Sequence, residues 1–190
     1  MLDKCFDIAR EHDRNKRKDE VCWELLLVIG FNTGLRISDI RRFRVKDLRD
    51  KDYAETEAQK TGKTANILIN PTAKRDLKRL LAGRRADEYI LPSRTKDPMT
   101  HKARPITRQR AYQILNEIAR EAGIQERIGC HTLRKTFGYH YYRQFLDVVS
   151  LQRMLQHTSK RDTLVYIGAV QEQDNENMRK FGIGGRRRRS

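Results

Sequence analysis

The sequence predicts a mostly α-helical fold with one small antiparallel β-sheet, an α+β arrangement. Three observations carry this. Apolar residues recur at helical spacing in several separate stretches. Gly34 and Gly123 stand where two of those stretches must stop, as residues that tolerate the left-handed conformation of a helix end. One region alone, around Lys60-Thr61-Gly62-Lys63, sets two short extended segments on either side of a glycine-containing turn.

Taken in order, Asp3 to Arg17 is highly charged and reads as either a helix or a loose lead-in. Asp19 to Phe31 reads as a buried helix, because Val21, Trp23, Leu25, Leu26, Val28 and Ile29 cover much of its circumference. After Gly34, Ser38 or Asp39 is expected to start the next helix, with Ile40 and Phe43 as its apolar contacts. Ala54 to Gln59 and Asn66 to Asn70 form the expected hairpin, although the first strand has little apolar content. Thr72 to Ala82 follows as a basic amphipathic helix led in by Pro71.

Gly83 to Arg104 carries Pro92 and Pro98 and reads as a loop with one buried segment, Tyr89-Ile90-Leu91. Thr107 caps a helix to Ala122, whose stripe is Ala111, Leu115, Ile118, Ala119 and Ala122. Three further helices are expected over Thr132–Phe145, Val148–Leu155 and Lys160–Gly168. The tail from Gln171 is polar, ends in Arg186 to Arg189 and need not be ordered. The expected organisation is a lead-in over 1–18, one domain over 19–170 and a tail over 171–190.

The 190 residues suffice for one domain with a real core. The chain is 37% hydrophobic and 35% charged, with 41 Lys+Arg against 25 Asp+Glu, a formal charge of +16. A field of that sign attracts polyanions, so nucleic acid is the first expected partner. An anionic membrane surface ranks second, since no long amphipathic basic helix stands out. Cys5, Cys22 and Cys130 are odd in number and lack paired spacing, which argues against a disulfide framework and for a reducing compartment. No metal-ligand spacing and no signal peptide occur, and the apolar run Leu25 to Phe31 is too short to cross a bilayer. A cytoplasmic protein is expected.

Four motifs occur in a fixed order: Thr33-Gly34-Leu35-Arg36-Ile37-Ser38-Asp39; Lys60-Thr61-Gly62-Lys63; His131-Thr132-Leu133-Arg134; and His157 followed nine residues later by Tyr166. Singly each is weak, and most of the basic residues are expected to be solvated charges. Together they resemble the catalytic set of the tyrosine recombinase, or phage integrase, family. The resemblance runs from about Asp19 to Gly168. It implies a catalytic-domain fold of that family and a site-specific recombinase that cleaves and rejoins DNA through a 3′-phosphotyrosyl intermediate. It also implies a role for mobile elements, and no metal, ATP or other cofactor.

The chemistry matches the residue types. Attack on a phosphodiester puts extra negative charge on the nonbridging oxygens, and arginine forks meet that charge in a bidentate way. Arg36 and Arg134 are the candidates, and His131 and Arg134, three apart, would share a helix face. Tyr166 is the implied nucleophile. With an unperturbed pKa of about 10 it needs a base or an electropositive pocket, and His131 is the base candidate. Lys60 is the candidate acid for the leaving 5′ oxygen, with Lys63 as competitor. His157 would bond the scissile phosphate. The family usually has Leu-Gly-His there, whereas this chain has Leu155-Gln156-His157. Asp39 is expected to cap or orient the Arg36 loop. Tyr139, Tyr141 and Tyr142 read as core or surface aromatics.

The resemblance implies double-stranded DNA as partner and self-assembly of four protomers on DNA, joined by exchange of a segment that would be Gln171 to Arg189. The stretch before Asp19 is too short for the family's clamp domain, so an accessory protein supplying that half is an expected partner. No membrane partner is expected. Two other readings stay open: topoisomerase-like relaxation, and a non-catalytic DNA-binding accessory on the same fold.

Overall fold

The charged N-terminal stretch is helical. In the computed structural model, which describes residues 1–15, 21–57, 64–126, 128–129 and 131–182, α1 spans Leu2–Asn15 and buries Cys5 and Ala9. It packs against α2, Trp23–Thr33, and α6, Arg108–Ala122. The Asp13 carboxylate at its end accepts from the backbone N–H of Trp23 (3.0 Å) and of Glu24 (2.9 Å). One helix thus caps the next, satisfying N–H groups that have no partner inside α2. For this reason α2 begins at Trp23 rather than at Asp19. Helix α1 contributes Cys5 and Ala9 to the core.

Helix α2 is the centre of that core. Leu25, Leu26, Leu27, Val28 and Ile29 are each at most 2% exposed. Burial of each such side chain is worth about 1.5–3 kcal/mol. Glu24 shares this burial, at 2% exposure. Its Oε1 accepts from Arg10 Nε of α1 at 2.8 Å and from Arg79 Nη2 at 2.7 Å. Arg79 lies on α5, Pro71–Leu80, whose N-cap is Asn70.

Two short helices follow α2. The first, α3, spans Ile37–Ile40 with Arg36 as its N-cap and no side-chain cap bond. The start expected at Ser38 or Asp39 is therefore corrected: Ile37 and Ile40, 3% and 0% exposed, set the turn by burial rather than by a polar cap. The second, α4, Val45–Leu48, had no counterpart in the sequence reading. Strands β1, Tyr53–Glu57, and β2, Thr64–Leu68, pair antiparallel from Tyr53↔Leu68 to Glu57↔Thr64. Strand β2 ends at Leu68, before the expected Asn70, which instead caps α5, and the strands include Tyr53 and Thr64 ahead of the expected starts; Gln59 lies outside the described residues.

Ile90 and Leu91 are fully buried, and the segment is held by the Arg44↔Tyr89 and Pro92↔Pro105 bridges. Thr107 caps α6 through the N–H of Arg110 at 3.0 Å, and Gly123 ends it at φ 78°. The remaining helices are α7, Thr132–Phe145; α8, Val148–Met154; α9, Lys160–Ile167; and α10, Ala169–Lys180. The tail is thus helical through Lys180, with no buried residue in α10.

The chain divides into two units, Met1–Phe137 and from Gly138 onward. Unit 1 holds the main core. Unit 2 has a smaller one of Leu151, Leu155 and Ile167, packed closely enough that a Cβ on Gly138 would meet Ile167 Cγ2 at 2.7 Å. No helix among the described residues is long and apolar enough to cross a membrane.

The Glu24 clamp makes an asymmetric prediction. Arg10 and Arg79 are about half exposed (side chains 47% and 54%), so either retains water when Glu24 is removed. Glu24 does not. Arg10→Ala with Arg79→Ala leaves a buried, unpaired carboxylate and should cost about 3 kcal/mol in chemical denaturation. Glu24→Leu should cost less, and a larger loss for Glu24→Leu would refute this ranking.

Candidate active site

In unit 1 the first motif sits at the end of α2. Gly34 adopts φ 64° and caps the helix. A Cβ there would lie 2.4 Å from Cδ1 of Phe137, and one on Gly30 would lie 2.4 Å from Cδ1 of Leu133. Both glycines therefore let α7 approach α2 closely. Thr33 Oγ1 donates to Ile29 O (2.7 Å) and accepts from the N–H of Leu35 (3.3 Å), shaping the exit toward Arg36. Arg36 is exposed and extended, at φ −74° and ψ 148°. The carboxylate of Asp39 accepts from Ser38 Oγ at 3.2 Å. Asp39 lies in the first turn of α3, where it is not the cap.

The close approach places Arg134. It is 5% exposed, and its Nη1 donates to the Gly34 carbonyl at 2.7 Å, bridging 100 residues of sequence. A buried guanidinium needs such acceptors. One turn earlier is His131. Although His131 is exposed, partial desolvation is the first cause that holds its imidazole below the ordinary value; the charges of Arg134, Arg36, Arg108 and Lys135 add to it. Unit 1 therefore brings Arg36, His131 and Arg134 near one another. It adds two cations the sequence reading missed, Arg108 at the start of α6 and Lys135. No sequence signal marked either; their relevance comes from tertiary placement.

Unit 2 holds the other two residues. Helix α8 ends with Gln156 at φ 50°. The N–H of Gln156 donates to Arg153 O and that of His157 to Gln152 O, each at 3.0 Å. This pair of bonds is a Schellman motif, in which a left-handed residue is usually glycine. Gln156 thus takes a backbone position that glycine commonly fills, where the resemblance places a glycine. His157 then lies edge-on to Tyr166, with ring centroids 4.8 Å apart and planes at 79°. Its Nδ1 is 3.2 Å from Thr163 Oγ1. The Tyr166 hydroxyl is buried, and α9 runs from the Ser159 cap to Gly168 at φ 81°. Tyr139 bonds Glu172 through its hydroxyl at 3.1 Å, and Tyr141 stacks obliquely on Phe145. Lys60, Lys63 and Arg186 to Arg189 lie outside the described residues, as does Cys130.

Residues 6–173 match the model of the phage integrase family. The chain is similar to the probable integrase/recombinase YoeC of Bacillus subtilis, 39% identical over 95% of this chain and 94% of that protein. It is 28% identical to the tyrosine recombinase XerA of Pyrococcus furiosus over 78% of this chain, spanning 51% of that protein's length. Among solved structures, the XerH recombinase bound to a palindromic difH substrate aligns with TM-score 0.66 at 19% identity, over 95% of this chain and 51% of that one. Lambda integrase bound to a COC′ core site aligns with TM-score 0.62 at 18% identity, over 88% and 58%. At these identities the solved structures establish the shared fold.

Two predictions follow from this geometry. Gln156→Gly relieves a left-handed backbone at an exposed position. It should raise stability by roughly 0.5–1 kcal/mol, the relief of strain less the added freedom of the unfolded chain; a loss on chemical denaturation would contradict the strain. The second concerns His131, whose midpoint in an NMR titration should lie below 6.5. The sign is set by burial and cations, both of which disfavour the imidazolium. Arg36→Ala and Arg108→Ala should each move the midpoint up, and a midpoint at or above 6.5 in the unaltered protein would overturn the assignment.

Proposed function

The chain belongs to the phage integrase family and is a tyrosine-type site-specific recombinase, and we propose that it breaks and rejoins duplex DNA through a covalent link to Tyr166. The observation that carries the residue assignment is the placement of Tyr166, with its buried hydroxyl and the His157 ring against its own. Attack of the Tyr166 oxygen on phosphorus forms a 3′-phosphotyrosyl bond and releases the 5′ oxygen of the next nucleotide. Reversal by a 5′ hydroxyl from another strand rejoins DNA, and the bond energy stays in the link. Arg36 and Arg134 stabilise the charge that develops on the phosphate. His131, kept neutral, accepts the Tyr166 proton. His157 bonds the phosphate. Lys60 protonates the leaving oxygen, a role supported by the resemblance of Lys60-Thr61-Gly62 to the family's lysine motif.

The XerH and lambda integrase structures hold DNA, which supports duplex DNA as substrate here. Tetrameric assembly on DNA through the segment from Gln171 belongs to the same proposal. So does an accessory protein for the clamp half; the chain spans about half the length of the XerA relative. The relatives named for recombination favour strand exchange over relaxation or binding alone.

The test uses a labelled duplex with a nick that traps the cleaved state. The unaltered protein should give a covalent band on a denaturing gel, and Tyr166→Phe should abolish it while DNA binding stays near normal. Tyr142→Phe should keep the band. An adduct that survives Tyr166→Phe, or disappears with Tyr142→Phe, refutes the nucleophile assignment.

A further inference from the structure

Thr163 is fully buried, and its hydroxyl has two neighbours in unit 2. It donates to the carbonyl of Ser159 at 2.9 Å, and it lies 3.2 Å from Nδ1 of His157. A threonine hydroxyl carries one hydrogen and two lone pairs. With that hydrogen given to Ser159 O, the bond to His157 needs a hydrogen from the ring. Nδ1 is then the donor, and in a neutral imidazole Nε2 carries the lone pair.

From this chain of donors we infer that Thr163 is a positioning residue for His157, fixing its neutral ring as the Nδ1–H tautomer and its plane against Tyr166. Two further features hold the arrangement. The Schellman bonds at Gln156 and His157 set the backbone entry to the ring. The Ser159 carbonyl also accepts from the N–H of Thr163 at 3.2 Å, so it keeps a partner if the hydroxyl is lost. The consequence for the chemistry rests on the recombinase reading above. A neutral His157 presents an acceptor at Nε2 and would meet a phosphate oxygen lone pair to lone pair. Its donation to phosphate therefore goes with the imidazolium, formed when Nε2 takes up a proton.

The test is carried out on the full chain labelled with ¹⁵N-histidine, at a pH where the His157 ring is neutral. Two-bond ¹H–¹⁵N correlation spectra distinguish a protonated from a bare ring nitrogen. The expected pattern for His157 is protonated Nδ1 and bare Nε2. Thr163→Val, nearly the same shape, should shift it toward Nε2–H, the form free imidazole side chains favour in water. Thr163→Ser should restore the original pattern. With the trapping duplex, at a pH where His157 is an imidazolium and both ring nitrogens are donors whatever the neutral tautomer, Thr163→Val should slow adduct formation about tenfold through loss of the bond that fixes the ring plane, with DNA affinity unchanged and Thr163→Ser near normal.

A bare Nδ1 in the unaltered protein, or an unchanged tautomer in Thr163→Val, overturns the inference. So does a Ser variant that behaves like Val. If the unaltered protein gives the expected spectrum but no adduct, the recombinase reading fails while the assignment of Thr163 stands.

Discussion

The structure depends on how closely α7 approaches α2. Gly30 and Gly34, one turn apart, leave room for Leu133 and Phe137, also one turn apart. Between those two side chains stands Arg134, whose guanidinium reaches the Gly34 carbonyl. Gly34 thus answers three demands: a left-handed cap, a missing Cβ, and an acceptor for a buried cation. The acceptor is well chosen. Carbonyls at a helix C-terminus have no intrahelical partner and carry partial negative charge, so they favour a cation there. A methyl group at Gly34 would strain the cap and displace Phe137. Arg134 would lose its fixed position as a result.

The same reasoning separates what the sequence revealed from what it did not. Helices ended by Gly34 and Gly123 were legible because caps and apolar spacing agreed. Helix α1 was ambiguous because only Cys5 and Ala9 of it are buried, and because its essential act is to lend Asp13 to another helix. Helices α3 and α4 are single turns held by burial, too short for any period to register. Helix α10 buries nothing, so no apolar stripe announced it.

The candidate site shows the same division. Arg36, His131, Arg134, His157 and Tyr166 stood out through their order and spacing. Arg108 and Lys135 did not, because nothing marks one cation among 41 until the fold brings it near His131. Gln156 read as a departure from the family pattern. Its positive φ shows that the backbone conformation tolerates the change at a cost in strain. Thr163 was invisible because its importance lies in where a single hydroxyl hydrogen goes.

A field of cations around an imidazole has a consequence for the order of events. Arg134, Arg36, Arg108 and Lys135 hold the His131 imidazole below its ordinary value, with burial as the first cause. Cations of this kind are what a phosphate group neutralises on binding. A phosphodiester gripped by them cancels part of their field, and the affinity of His131 for a proton then rises. Under the proposed function, in which His131 is the base, proton acceptance would then be tied to substrate: the cations lower the imidazole's affinity for a proton, and a held phosphate would raise it again. In that proposal the nucleophile is a tyrosine, which does not readily ionise alone and so depends on such a coupling.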